Sequence, residues 1–148
     1  MSAAAFAVCD EQRTDPEPMK PLICCALALA FLLPVPAAAI DAGIREQLER
    51  LAPDEKLEQR CDIEAMNRIS HDDGGFRPDK VIAYAFAEPK LSGTTLRTKG
   101  AVFRSDGEWY RLSYRCVAAK NRLDIQDFRF TIGNRVPRSQ WDEHYLYD

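Results

Sequence analysis

The chain has 148 residues, 5 cysteines and a formal net charge of −3. That length suits one domain and is too short for two. The near-neutral balance excludes a global pull towards nucleic acid or an anionic membrane, so a charged partner would have to be met by a local patch.

Residues 1–18 are acidic and loop-like, with Asp10, Glu11, Asp15 and Glu17 among Pro16 and Pro18. Met19-Lys20-Pro21 follows, then the unbroken apolar run 22–33, Pro34-Val35-Pro36 and Ala37-Ala38-Ala39. A positive start, a short apolar run and small residues make a secretory signal. The run falls short of the roughly 20 apolar residues that span a bilayer. The expected division is a misassigned extension over 1–18, a signal peptide over 19–39 cut after Ala39, and a single mature domain over 40–148. Met19 is then the initiator. Export of the Gram-negative type puts the domain in the periplasm or outside the cell. The rival reading is a signal left uncleaved as an anchor in the inner membrane.

Cleavage would remove Cys9, Cys24 and Cys25 and leave Cys61 and Cys116. An even pair in an exported domain reads as a disulfide, with two buried free thiols as the alternative. The bridge would close a loop of 55 residues, worth about 4 kcal/mol in the chain-entropy model.

Asp41 can cap a first helix carrying Ile44, Leu48 and Leu51 on one face, with Glu46 and Arg50 paired at i,i+4. Pro53-Asp54-Glu55 starts a second helix. Its apolar stripe is Leu57, Cys61, Ala65 and Ile69, and Glu64 pairs with Arg68 on the outside. Gly74-Gly75 stops it. Residues 81–87 then alternate small and large and read as a strand, and a weaker strand follows over 94–98.

Asp106-Gly107 between two alternating runs predicts a two-residue hairpin turn. It sets Ser105 opposite Glu108, Arg104 opposite Trp109, Phe103 opposite Tyr110, Val102 opposite Arg111 and Ala101 opposite Leu112. One face, with Ala101, Phe103, Tyr110, Leu112, Tyr114 and Cys116, faces a core. The other, with Val102, Arg104, Trp109, Arg111, Ser113 and Arg115, is expected to be solvated. Cys116 thus lies on the core face and Cys61 on the stripe of the second helix, so packing helix on sheet brings them together. A last strand runs over about 122–132 with a bulge at Gln126-Asp127. Pro137 opens a short helix carrying Trp141 and Tyr145. The fold class is α+β: N-terminal helices packed on one face of an antiparallel four- or five-stranded meander, with a short C-terminal helix.

Four blocks are distinctive in this order. They are the run Leu57-Glu58-Gln59-Arg60-Cys61-Asp62-Ile63-Glu64-Ala65-Met66, the run Val81-Ile82-Ala83-Tyr84-Ala85-Phe86-Ala87, the segment from Gly107-Glu108-Trp109 to Cys116, and the close from Ile132-Gly133 through Pro137-Arg138 to Trp141. With them the chain resembles, over about residues 41–146, a family of small exported bacterial proteins catalogued as domain of unknown function 930. The resemblance implies an exported location and paired cysteines. It implies no activity, substrate or catalytic residue.

Chemistry-bearing groups are few. The histidines are His71 and His144. His71-Asp72-Asp73 offers fewer oxygen ligands than a calcium loop needs, and a polar helix end explains it. His144 reads as a surface imidazole. There is no Gly-x-Ser-x-Gly elbow, phosphate loop or dinucleotide fingerprint. No metal site and no cofactor is assigned, and catalysis is left open.

The notable surface is the outer hairpin face. There Arg104, Trp109, Arg111 and Arg115 could hold an anionic envelope component, since the planar guanidinium suits carboxylates and phosphates. A plain solvated strand face is the alternative. Two further readings stand beside it: a module that docks a periplasmic protein through the aromatic segment 141–147, and a small periplasmic hydrolase.

Overall fold

The computed structural model describes residues 40–148; the expected extension and signal segment, residues 1–39, lie outside the described residues. Helix α1 spans Ala42–Glu49, and the Asp41 carboxylate accepts from the N–H groups of Gly43 and Ile44 at 2.8 and 3.4 Å. Such a cap satisfies donors that a helix start leaves orphaned. Helix α2 spans Pro53–Ser70, with Pro53 in the first turn and Asp54 and Glu55 at its positive end. Its stripe of Leu57, Cys61, Ala65 and Ile69 is completely buried. Glu64, expected on the outside, is buried as well. It binds Arg68 at 2.7 Å and the buried Arg60 at 3.0 Å, and Arg60 also donates to the Leu123 carbonyl at 2.8 Å. A carboxylate with two guanidinium partners is a form in which a buried charge is tolerated.

Strands β1 (Pro78–Ile82), β2 (Lys90–Ser92), β3 (Thr95–Ser105), β4 (Glu108–Ala118) and β5 (Ile125–Arg135) make one antiparallel sheet. The order is β1-β3-β4-β5, and β2 lies on the same side of β3 as β1, against its first residues. Asp106 and Gly107 both take positive φ, 51° and 75°, as the tight turn between twisted strands requires. All five expected cross-strand pairs of this hairpin are present. Helix α2 covers the face with Ala101, Phe103, Leu112, Tyr114 and Cys116, which forms the main core. There Cys61 and Cys116 are joined in a disulfide, with Cα atoms 6.0 Å apart. The bulge expected in the last strand is also found: Val117 faces Asp127, whereas Ala118 faces Ile125.

The last strand lies three residues further on than expected, at Ile125–Arg135, and the short β2 is not among the expected elements. Three further elements differ from expectation. The run 81–87 leaves the sheet after Ile82. Beyond it the chain folds onto β3 at a bulge between Thr98 and Ala101. Thr98 Oγ1 donates to the Ala83 carbonyl at 2.6 Å, and the Phe86 N–H donates to the Gly100 carbonyl at 2.8 Å. Ala83 is fully buried, and the approach at Gly100 is so close that a Cβ there would lie 2.2 Å from the Ala87 nitrogen. The alternation of alanines, read as a strand signal, instead serves this close packing. Secondly, 94–98 is no separate weak strand but the start of the 11-residue β3. Thirdly, the chain end forms two 3-10 turns, Arg138–Gln140 and Asp142–His144, in place of a helix.

Those turns overturn the expectation of a fully solvated second face. Trp141 and Leu146 pack with Val102, Trp109 and Val136 into a second core, flanked by Ile82, Ala85 and Phe86. The sheet is therefore covered on one face by α2 and, at its hairpin end, on the other by the chain end. Among the described residues, no helix is long and apolar enough to cross a membrane.

Candidate functional site

The four residues expected to bind an anion have different fates. Trp109 is buried in the second core, and its indole N–H donates to the Tyr147 carbonyl at 3.0 Å. Arg104 forms a fork on Asp79, with contacts of 2.9 and 3.1 Å, and lies 5.7 Å from the Trp109 ring. Its hydrogen bonds to Asp79 hold that carboxyl below the usual range. Arg111 stacks over Phe86 at 3.5 Å. Arg115 pairs with Asp127. The structure thus ties Arg104 and Trp109 into the fold and leaves Arg115 on the uncovered end of the same face.

At that end the strand register assembles a group invisible in any one segment. Lys90 faces Arg97, Arg97 faces Arg115, and Arg115 faces Arg129. Four cations thus stand in one row across β2, β3, β4 and β5. Neighbouring strands lie about 4.8 Å apart, so the row is about 14 Å long. Arg97, Lys99, Arg115 and Arg129 line a shallow depression of about 270 Å³, floored partly by Ser113 and Thr131. Asp127 binds Arg115 and approaches Arg129 at 3.5 Å. Among the described residues no carboxylate pairs with Lys90, Arg97 or Lys99. Like charges directly opposite each other on a sheet are destabilising, so the row has an unfavourable self-energy that a bound anion would offset.

A second concavity lies on the far side of the sheet edge. A groove of about 740 Å³ runs between α2 and the chain end, lined among others by Asp62, Met66, Tyr84, Glu143 and Tyr145. The Tyr114 hydroxyl donates to Asp62 Oδ1 at 2.6 Å. Burial pushes the Asp62 carboxyl up to about 7, against the lowering effect of that hydrogen bond and with a further push from Glu58. Burial and the Asp62 charge raise the Tyr114 hydroxyl far above its ordinary value, so it stays a neutral donor. His144, expected as a surface imidazole, lies 3.7 Å from the Phe86 ring, and its Nδ1 is 2.9 Å from the Ala85 carbonyl oxygen. His71 sits at the helix end, with Nδ1 2.7 Å from the Asn67 carbonyl oxygen. Among the described residues, no group of three or more His, Cys, Asp or Glu side chains is placed to hold a metal.

A family model described as Domain of Unknown Function (DUF930) matches residues 48–146. The chain belongs to that family. No curated protein and no solved structure matches it. The DUF930 match takes in both cysteines, every strand and the 3-10 turns, so it covers the cationic row and the groove alike. Of the residues in this DUF930 domain that could meet an anion, Lys90, Arg97, Lys99 and Arg129 escape a sequence reading. Arg97 and Lys99 share a parity on β3 that the bulge at Lys99-Gly100 separates from the hairpin, while Arg129 and Lys90 join them only through the pairings of β5 and of the three-residue β2. Asp62 escapes for a different reason: it follows Cys61 on α2, at the edge of the apolar stripe, where a carboxylate normally reaches water.

Proposed function

We propose that the chain is an exported, non-catalytic module that binds an anionic polymer of the cell envelope across the row Lys90–Arg97–Arg115–Arg129. One observation carries this reading: four cations stand opposite one another across the strands, with Asp127 as their carboxylate partner among the described residues. A row about 14 Å long matches several successive charges of a linear polyanion better than one small anion. The planar guanidinium groups suit carboxylate, sulfate or phosphate. The disulfide and the signal-like segment 19–39 support an oxidising, exported location. Relative to the sequence expectation, the site keeps Arg115, has Arg111 at its margin, and moves away from Arg104 and Trp109.

Heparin serves as a probe, with neutral dextran as control. The wild-type chain should be retained on heparin and released by salt, because exposed charge contacts are screened within about 8–10 Å at moderate ionic strength. The double variant Arg97→Gln/Arg129→Gln should lose retention while its melting temperature stays the same or rises. Arg104→Gln should lower the melting temperature and leave retention intact. Wild-type retention by the double variant would remove the row from consideration.

A further inference from the structure

The groove between α2 and the chain end has a feature that neither the core nor the cationic row explains. Four consecutive residues, Asp79–Ile82, contribute to its lining. Side chains of a strand alternate between faces, so four in sequence can line one groove only if it runs along the strand's edge. β1 is the last strand of the sheet on this side, pairing with β3 alone. Among the described residues nothing bonds to the backbone groups on its other side.

An open strand edge is a template for another chain, and proteins normally block it with charge, a bulge or a cover. Here Pro78, which has no N–H, and the bulge at Asp79 block the start of the edge, while Lys80–Ile82 beyond them is flanked rather than covered. Gln59, Asp62, Ile63 and Met66 of α2 form one wall, and Glu143, Tyr145 and Tyr147 form the other. Tyr84, Tyr145 and Tyr147 are 56%, 76% and 63% exposed, and they are three of the five exposed large apolar side chains among the described residues. Their gathering at one groove marks it as a contact surface. The charge of the walls selects among occupants. Asp79 is already neutralised by the Arg104 fork, which leaves the carboxylates of Asp62 and Glu143 facing the groove against Lys80 and His144, and Glu58 stands close enough to Asp62 to act on its ionisation. Asp62 Oδ1 is taken by Tyr114. Its second oxygen has no hydrogen-bond partner among the described residues, yet it is not sealed from solvent.

We propose that the groove is a strand-addition site that takes an extended, basic segment of a partner protein. The segment pairs its backbone with β1 along Lys80–Ile82, about 10 Å. Its alternate side chains point to the two walls: a lysine or arginine reaches Asp62 on the α2 side, and apolar or aromatic groups lie against Tyr145 and Tyr147 on the other. Main-chain bonds supply affinity in this mode, and alternate pockets supply specificity.

The test is an amide-resolved titration of the full chain with two acetylated octapeptides, one alternating Lys and Val and the other Glu and Val. The Lys peptide should shift the amide signals of Asp79–Ile82 and protect them from exchange, and the Glu peptide should not. N-methylation of every second amide of the Lys peptide should abolish binding, because it removes strand pairing while keeping the charge. Asp62→Asn, which keeps an acceptor for Tyr114, should weaken the Lys peptide about tenfold, the effect of losing one charge-assisted bond. Tyr145→Ala, at an exposed site, should weaken it as well. Arg97→Gln/Arg129→Gln should leave it unchanged, which separates this groove from the anion row. Equal binding of the Lys and Glu peptides, full binding by the N-methylated peptide, or shifts confined to residues outside 79–82 would overturn the proposal.

Discussion

Asp62→Asn tests the energetics of the main core directly. The carboxyl ionises near 3.8 when unconstrained and near 7 in the folded chain. The folded state therefore holds its proton more tightly than the unfolded state. Below pH 4 both states are protonated, and burial of the neutral acid has no ionisation cost. As pH rises from 4 to 7 the unfolded chain ionises first, and stability falls. A gap of roughly three pH units at about 1.4 kcal/mol each makes about 4 kcal/mol, complete above pH 7. Between pH 5 and pH 8 the wild type should lose about 3 kcal/mol from this group. Glu58, also raised by burial, adds to the lower part of this window. Asp79 and Asp124, both lowered by hydrogen bonds to arginines, act in the opposite sense, and only as pH falls below about 4. Asparagine is nearly isosteric, accepts the Tyr114 hydroxyl and does not ionise. The assay is urea unfolding of both proteins at pH 5 and pH 8. Asp62→Asn should show a flatter pH dependence and be the more stable protein at pH 8. Parallel pH dependences would refute the claim that Asp62 is ionised at the cost of core stability.

Two further outcomes follow from the packing. Gly100→Ala would set a Cβ 2.2 Å from the Ala87 nitrogen; because that atom is backbone, the loop 83–87 must move, and thermal unfolding should show a loss of at least about 3 kcal/mol. Breaking the Cys61–Cys116 bridge by Cys61→Ala/Cys116→Ala frees a 55-residue loop and should cost about 4 kcal/mol; denaturation with and without reductant should differ for the wild type and coincide for the variant.

Local signals were enough for much of the fold. Asp41 and Pro53 mark helix starts by satisfying or lacking N–H groups, and Asp106-Gly107 imposes the turn that sets β3 against β4. The stripe on α2 and the alternation on β4 each put a cysteine towards one core, and the bridge follows from both. Those features depend on neighbours within a few residues, so the amino-acid order by itself determines them. Other features depend on contacts that close only in three dimensions. Residues 81–87 alternate like a strand, yet the close approach of Ala87 to Gly100 draws them into a loop. Trp109 and Val102 share the parity of Arg111 and Arg115, and only the return of Trp141 and Leu146 makes their half of the face a core. The row Lys90–Arg97–Arg115–Arg129 needs three registers at once, each set by its own turn or bulge. Asp62 acquires its displaced ionisation only when Tyr114 and the sheet shut out water. Tertiary structure decided these points because burial and cross-strand position are properties of neighbours distant in the chain, and no local pattern encodes them.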